Sequence, residues 1–180
     1  MNCLKVLLYG VFSARKTACI KNLSEIPLVS TQREGIASQN PEFCPVALDF
    51  GRLTFDTQAV LYLFGTPGSR MFDLTWSIVD DFFGVIFVVD SSYPYGIQEA
   101  RYKVRNWIFQ DIPLVVVANK QDKLNAWHPD MIRVALSVPP DMPVLPCVAT
   151  TGEGVAEAMI NLCEEYLKHH FPTEKTRHSV

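Results

Sequence analysis

The sequence predicts an α/β fold, a three-layer sandwich with helices on both faces of a mostly parallel, six-stranded sheet. Three observations carry that expectation. Short aliphatic runs alternate with segments whose apolar residues recur at helical spacing, the pattern of strands joined by crossover helices. The runs are apolar on both faces, as strands buried inside a parallel sheet are. The polar and glycine positions that interrupt them fall at the ends of strands, where such sheets bind ligands. With 180 residues, 48% of them hydrophobic, the chain is long enough for one sizeable core.

Residues 3–9 read as a first buried strand and residues 16–23 as the first helix. Residues 26–45 are polar and contain two prolines, a long loop of the kind usually kept for function. Residues 46–50 and 59–64 are the next strands, with turns at Gly51-Arg52 and Asp56-Thr57. Gly65-Thr66-Pro67-Gly68 breaks the chain, and residues 70–79 can be helical. Residues 84–89 form the most hydrophobic strand. Ile97, Ala100, Val104, Trp107 and Ile108 mark a helix with one buried face. Residues 114–118 are a strand ending in Asn119, residues 128–136 a short helix, and residues 144–148 the last strand. Val155, Met159, Leu162, Cys163 and Tyr166 stripe the final helix. One domain over residues 1–171 and a frayed polar tail at 172–180 follow from this reading.

The bulk properties narrow the function. A net charge of −3 and a pI near 5.8 argue against a nucleic-acid binder. Five scattered cysteines without a C-x-x-C pair suit reduced thiols in a cytoplasm. The longest apolar run, residues 82–89, is too short to span a bilayer.

The stretch VLLYGVFSARKT, residues 6–17, matches the phosphate-binding loop G-x-x-x-x-G-K-[ST] except at its second glycine, where Arg15 stands. Inward-turned N–H groups and the start of the next helix make such a loop an anion nest. Its candidate phosphate-binding residues are Gly10, Ser13, Ala14, Arg15, Lys16 and Thr17. Lys16 would reach the terminal phosphates, and Thr17 would offer a hydroxyl to Mg²⁺. Arg15 either swings outward or fills part of the phosphate space.

Asn119-Lys120-Gln121-Asp122 follows a buried strand. A carboxylate at Asp122 accepts two parallel hydrogen bonds, matching the ring N–H and exocyclic amine of guanine and rejecting adenine. Lys120 can lie along the base, Asn119 can brace the neighbouring loops, and the Ala149 N–H can reach the guanine oxygen. The competing reading makes Asp122 a helix N-cap.

These residues together resemble the Ras-like small GTPases over about residues 3–169. The stretch VALDFGRLTFDTQAVLYLFGTPG, residues 46–68, is most similar to the bacterial branch that works with roadblock-type regulators, which includes the MglA-like and conservon GTPases. The resemblance implies the small-GTPase fold and a cytoplasmic switch binding GDP or GTP with Mg²⁺, with residues 26–45 and 66–79 as its two switches. A roadblock-type protein would be its partner. Lys16 and Thr17 fall on the family's phosphate and magnesium residues, Asn119, Lys120, Asp122 and Ala149 on its guanine residues, and Gly68 on the glycine that senses the γ-phosphate. Gly65 stands where the wider family has a magnesium-ordering Asp. The bacterial branch implies Asp49 in that role, against a plain polar residue at a sheet edge.

Three departures imply slow or partner-dependent hydrolysis. Ser69 replaces the water-orienting glutamine, residues 42–45 carry no hydroxyl for the first switch, and Arg15 replaces the glycine. Arg52 or Arg70 could supply charge to a phosphoryl-transfer transition state. Met71, Phe72 and Trp76 could form a partner-binding face. The alternative is a pseudo-GTPase, an interaction module with weak or no nucleotide binding.

Overall fold

A computed structural model describes residues 2–11, 13–30, 48–56, 59–66 and 82–171. Its elements run β1 (Asn2–Tyr9), α1 (Lys16–Leu23), β2 (Val29–Ser30), β3 (Asp49–Asp56), β4 (Ala59–Gly65), β5 (Phe82–Asp90), α2 (Pro94–Phe109), β6 (Leu114–Asn119), α3 (Pro129–Leu136), β7 (Val144–Cys147) and α4 (Val155–His170).

The sheet order is β2-β3-β4-β1-β5-β6-β7. β1 sits at the centre, parallel to both β4 and β5, and β6 and β7 continue in parallel. The β2–β3–β4 end is antiparallel. The sheet is therefore mostly parallel as expected, but it has seven strands rather than six. The extra strand is the two-residue β2, inside the stretch that reads as loop, where Ser30 pairs with Asp49. So short a strand carries no periodicity to read.

Gly51-Arg52 is not a turn. It lies inside β3, facing Leu63 and Tyr62 of β4. A Cβ on Gly51 would come within 2.7 Å of Ile20 Cγ2 and 3.0 Å of Ser24 Cβ. The glycine is there because α1 crosses closely over the strand, not because the chain bends.

Each face of the sheet has its own core. One is covered by α1 and α4, through Cys19, Ile20, Leu23, Val155, Met159 and Leu162. The other is covered by α2 and α3, through Ile97, Val104, Trp107, Ile132 and Leu136. Tyr9 stands edge-on to Trp107, ring centroids 5.4 Å apart, which pins α2 to the central strand. Strands β5 and β6 are buried almost throughout, which is why they read as unbroken apolar runs.

Candidate functional site

The carboxyl ends of β1, β5 and β6 and the loop after β7 meet at one edge of the sheet. β1 ends at Gly10, whose position tolerates no side chain: a Cβ there would lie 2.1 Å from the Val88 carbonyl oxygen of β5. Ser13 and Arg15 then take left-handed backbone conformations, with φ of 66° and 65°. These turns lead into α1 at Lys16 and leave the first helical N–H groups at the loop. Arg15 thus keeps the backbone shape a glycine would have, at about 1–2 kcal/mol of strain. Its side chain is exposed.

Lys16 is buried and donates to the carbonyls of Gly10 (3.0 Å) and Val11 (3.2 Å). Burial, aided by nearby Lys103, lowers its pKa to about 8. An ammonium held among carbonyls, with no carboxylate bond among the described residues, is primed for an anion, whose charge would restore its ordinary basicity.

Thr17 Oγ1 donates to Asp49 Oδ2, and Ser30 Oγ donates to Asp49 Oδ1 at 2.6 Å. Asp49 is buried and is the register partner of Gly65 on β4. A Cβ on Gly65 would sit 3.1 Å from Asp49 Cβ, so the carboxylate of β3 occupies the place a β4 carboxylate would take. Thr66, next in the chain, has a buried hydroxyl with no hydrogen-bond partner among the described residues. This hard-oxygen set, one carboxylate with hydroxyls around it, fits Mg²⁺, which takes one or two carboxylates and keeps several waters. Among the described residues, no three His, Cys, Asp or Glu side chains cluster as a softer metal site.

Asn119 ties the edge together. Its Nδ2 donates to the Ala14 carbonyl at 2.9 Å, and its Oδ1 accepts the Ala149 N–H at 2.8 Å. The phosphate loop and the loop after β7 are thus held by one buried amide, as the bracing reading of Asn119 expects. The same bond engages the Ala149 N–H that the sequence assigns to a guanine oxygen.

Asp122 caps no helix. The next helix, α3, begins at Pro129 with His128 as its N-cap. The Asp122 carboxylate is half-exposed, 3.6 Å from Lys123 Nζ, and lines a cavity of about 150 Å³ with Arg15, Asn119, Lys120, Lys123 and Thr150. Arg15 therefore borders the base side of the site.

Asp90, which the sequence reading passed over, is the charge centre of this edge. It ends β5 and faces Asn119 in register. Lys120 bridges to its Oδ2, Ser13 Oγ donates to the same oxygen at 3.3 Å, and Ser92 donates to Oδ1 from its N–H (3.1 Å) and hydroxyl (2.7 Å). Burial pushes the Asp90 carboxyl up, but the Lys120 and Ser92 bonds outweigh it and hold the group below the usual carboxylate range. Gln121 is a second omission. Its amide spans Ser91 Oγ and the Trp127 carbonyl, 3.0 Å each, locking the base loop to the turn after β5. The available signal for Asp90 was the one used for Asn119, a polar residue ending a buried run.

Arg52 does not lie at the anion loop. It pairs with Glu25 at 3.4 Å, and its N–H donates to the Ser24 hydroxyl at 3.1 Å, beside the far end of α1. Gly68, Ser69, Arg70, Met71, Phe72 and Trp76 lie outside the described residues, as does most of the first-switch stretch.

A parallel sheet whose edge carries a Lys-Thr anion loop and an Asn-Lys-x-Asp base loop defines the small-GTPase class of phosphate-loop proteins. The model of the "ADP-ribosylation factor family" matches residues 57–166, which include the base loop and Ala149 and begin beyond the phosphate loop. "ADP-ribosylation factor-like protein 3" of Saccharomyces cerevisiae is 27% identical over 169 residues, spanning 86% of this chain and 81% of the relative. The Arl6 BBS3 small GTPase of Trypanosoma brucei, solved with the nucleotide analogue GppNp, superposes with a TM-score of 0.71. That alignment covers 93% of this chain and 99% of the other, at 19% identity, and speaks to the fold alone. The chain belongs to the ADP-ribosylation factor family, within the Ras-like superfamily that the sequence resembles. Neither relative belongs to the bacterial roadblock-associated branch. No helix among the described residues is long and apolar enough to cross a membrane.

Proposed function

We propose that this chain is a guanine-nucleotide-dependent switch with slow or partner-dependent GTP hydrolysis. The observation that carries the proposal is the Asn119 amide bridging Ala14 and Ala149. It makes the phosphate loop and the base loop one rigid unit. In that unit Lys16, an amine bound to no carboxylate among the described residues, and Asp122, an exposed carboxylate that caps no helix, await opposite ends of one ligand.

Lys16 would leave the two loop carbonyls for the phosphates, and the Ser13–Thr17 N–H groups would hold the β-phosphate. Asp122 would accept the guanine ring N–H and amine together, and Lys120, steadied by Asp90, would flank the base. Thr17 and Asp49 would hold Mg²⁺, which neutralises phosphate charge when bound. Arg52 is engaged elsewhere, and Ser69 is too short to orient a water as glutamine does. Intrinsic hydrolysis is therefore slow, and a partner or Arg70 supplies what is missing. The likeness of residues 46–68 to the roadblock-associated branch supports a roadblock-type regulator as that partner and a cytoplasmic setting.

The test is nucleotide extracted from the purified protein, with GDP and ADP titrated against wild type and Asp122→Ala. Tight GDP binding, absent ADP binding and a loss of at least about 2 kcal/mol in the variant are expected, since two hydrogen bonds to a charged acceptor disappear. Absent GDP binding by wild type overturns the reading. It would leave the pseudo-GTPase, which one observation favours: a strained Arg15 bordering the base cavity.

A further inference from the structure

The outer face of α2 carries a pattern that the nucleotide site does not use. Tyr95, Tyr102 and Phe109 follow one another at heptad spacing and are 76%, 73% and 77% exposed. Gln98 and Arg105 fill the alternate positions of the same stripe, and both are exposed. Residues three and four apart lie on one helix face, so these five positions form one seam about four turns long, with three aromatic rings along it. Its N-terminal half borders a groove of about 470 Å³ between α2 and α3, lined by Pro94, Ile97, Arg101, Tyr102, Trp127 and Ala135. Across it, α3 exposes Met131 and Val134. A folded monomer gains nothing from leaving three large rings in water on one stripe.

On the groove side of the seam the charges are basic, and the other side carries Glu99. Arg101 and Arg105 are exposed, and among the described residues neither forms an ion pair. Lys103 is already paired with Glu99 at 3.5 Å. Arg105 leans over the Phe109 ring at 5.9 Å, a cation–π pose that keeps the guanidinium on the seam. The chain as a whole is acidic, so this basic stripe is a local reversal. A second copy laid antiparallel on the seam would set arginines against arginines, which disfavours self-pairing.

We propose that the α2 seam with the α2–α3 groove is a docking surface for an amphipathic, acidic helix of a partner protein. Its apolar residues, repeating every seven, would meet Tyr95, Tyr102 and Phe109, while its Glu or Asp residues flank Arg101 and Arg105. The seam runs along α2 from Tyr95, in its first turn, to Phe109 at its far end, and none of these rings lines the cavity beside Asp122.

The test displays three-heptad helical peptides with leucine fixed at the seam positions and Glu or Lys randomised at the flanks, and selects them on the full-length chain. Enrichment of Glu flanks is expected. Their binding should fall at least tenfold for Tyr102→Ala with Phe109→Ala, and for Arg101→Glu with Arg105→Glu. The Lys-flanked peptides should bind that last variant and not wild type. The recovery in the charge-swapped pair also shows that the variant is folded. Equal recovery of Glu and Lys flanks, or no enrichment over an unrelated protein, overturns the proposal. So does sedimentation of wild type with phosphatidylserine vesicles that the Arg101→Glu, Arg105→Glu variant loses, which would make the seam a membrane contact. Concentration-dependent dimerisation lost in the Tyr102→Ala, Phe109→Ala variant overturns it in favour of self-pairing.

Discussion

At the scale of single residues, Arg15 and Lys16 decide how the anion loop behaves. The backbone at Arg15 is left-handed, which glycine adopts freely and arginine does not. Arg15→Gly relieves about 1–2 kcal/mol of strain and costs about 0.5–1 kcal/mol in chain entropy. The variant should therefore be more stable by about 0.5–1 kcal/mol in urea unfolding. GDP titration of the same variant separates the two readings of the side chain. An unchanged affinity means the arginine stays clear of the phosphates, and a rise of tenfold or more means it competes with them. Lys16 supplies a pH signature. Its folded pKa, lowered to about 8 by burial, lies below the unfolded value near 10.5. Between those values the unfolded chain binds more protons, so stability rises with pH from about 8 to 10.5. Lys16→Met removes that slope. An anion binds only the charged amine, so GDP affinity should fall about tenfold per pH unit above 8. Titration calorimetry at pH 8 in buffers of different ionisation enthalpy should show proton uptake on binding. These residues were legible as Lys-Thr after a strand, and Asp122 as an acceptor-only side chain in a loop. Asp90 was not, because an aspartate closing an apolar run also reads as a simple strand terminus. Only the register with Asn119 shows that it anchors Lys120.

At the scale of elements, close approach of backbones sets the limits. Gly10→Ala would drive a methyl into the Val88 carbonyl of the neighbouring strand, and β1 cannot shift without opening the sheet. A loss above about 3 kcal/mol is expected, seen as a large drop in urea midpoint or as insoluble expression. The β3–β4 pair offers a subtler case. Asp49 and Gly65 face each other in register, so the carboxylate could come from either strand. The double swap Asp49→Gly with Gly65→Asp should retain Mg²⁺-dependent GDP retention, whereas Asp49→Gly alone should lose it. The obstacle is Ile20, whose Cδ1 would lie 2.6 Å from the new Cβ, and a side-chain tip can turn away. Nucleotide dissociation with and without EDTA reads the outcome. Strands β5, β6 and the second half of β1 were legible because both their faces are buried and their sequences are almost purely apolar, and the edge strand β7 was legible from its apolar run although Pro146 is exposed. β2 and β3 were not. Gly51 is shaped by the helix lying on it, and Ser30 is placed by a two-residue pairing, so both answer to tertiary contact rather than local pattern.

At the scale of the whole molecule, nucleotide binding must appear as stability. The family match begins at residue 57, so kinship speaks for the base loop while the phosphate loop, with Arg15 in it, must be judged by what it does. A ligand that joins both loops binds only the folded chain, because the Asn119 bridge that aligns them has no counterpart in an unfolded one. At one hundred times its dissociation constant it adds about 2.7 kcal/mol. For a chain of this length that raises Tm by about 5–11 °C. Asp122 is half-exposed and caps nothing, so Asp122→Ala should leave the Tm without ligand nearly unchanged and abolish the rise with GDP. A comparable rise with inorganic pyrophosphate alone would mean that the anion loop acts without the base loop. A GDP-dependent rise lost in both Asp122→Ala and Lys16→Met means that the two halves of the edge hold one molecule between them. Separate ends without a shared ligand give no reason for a buried amide to tie their loops together.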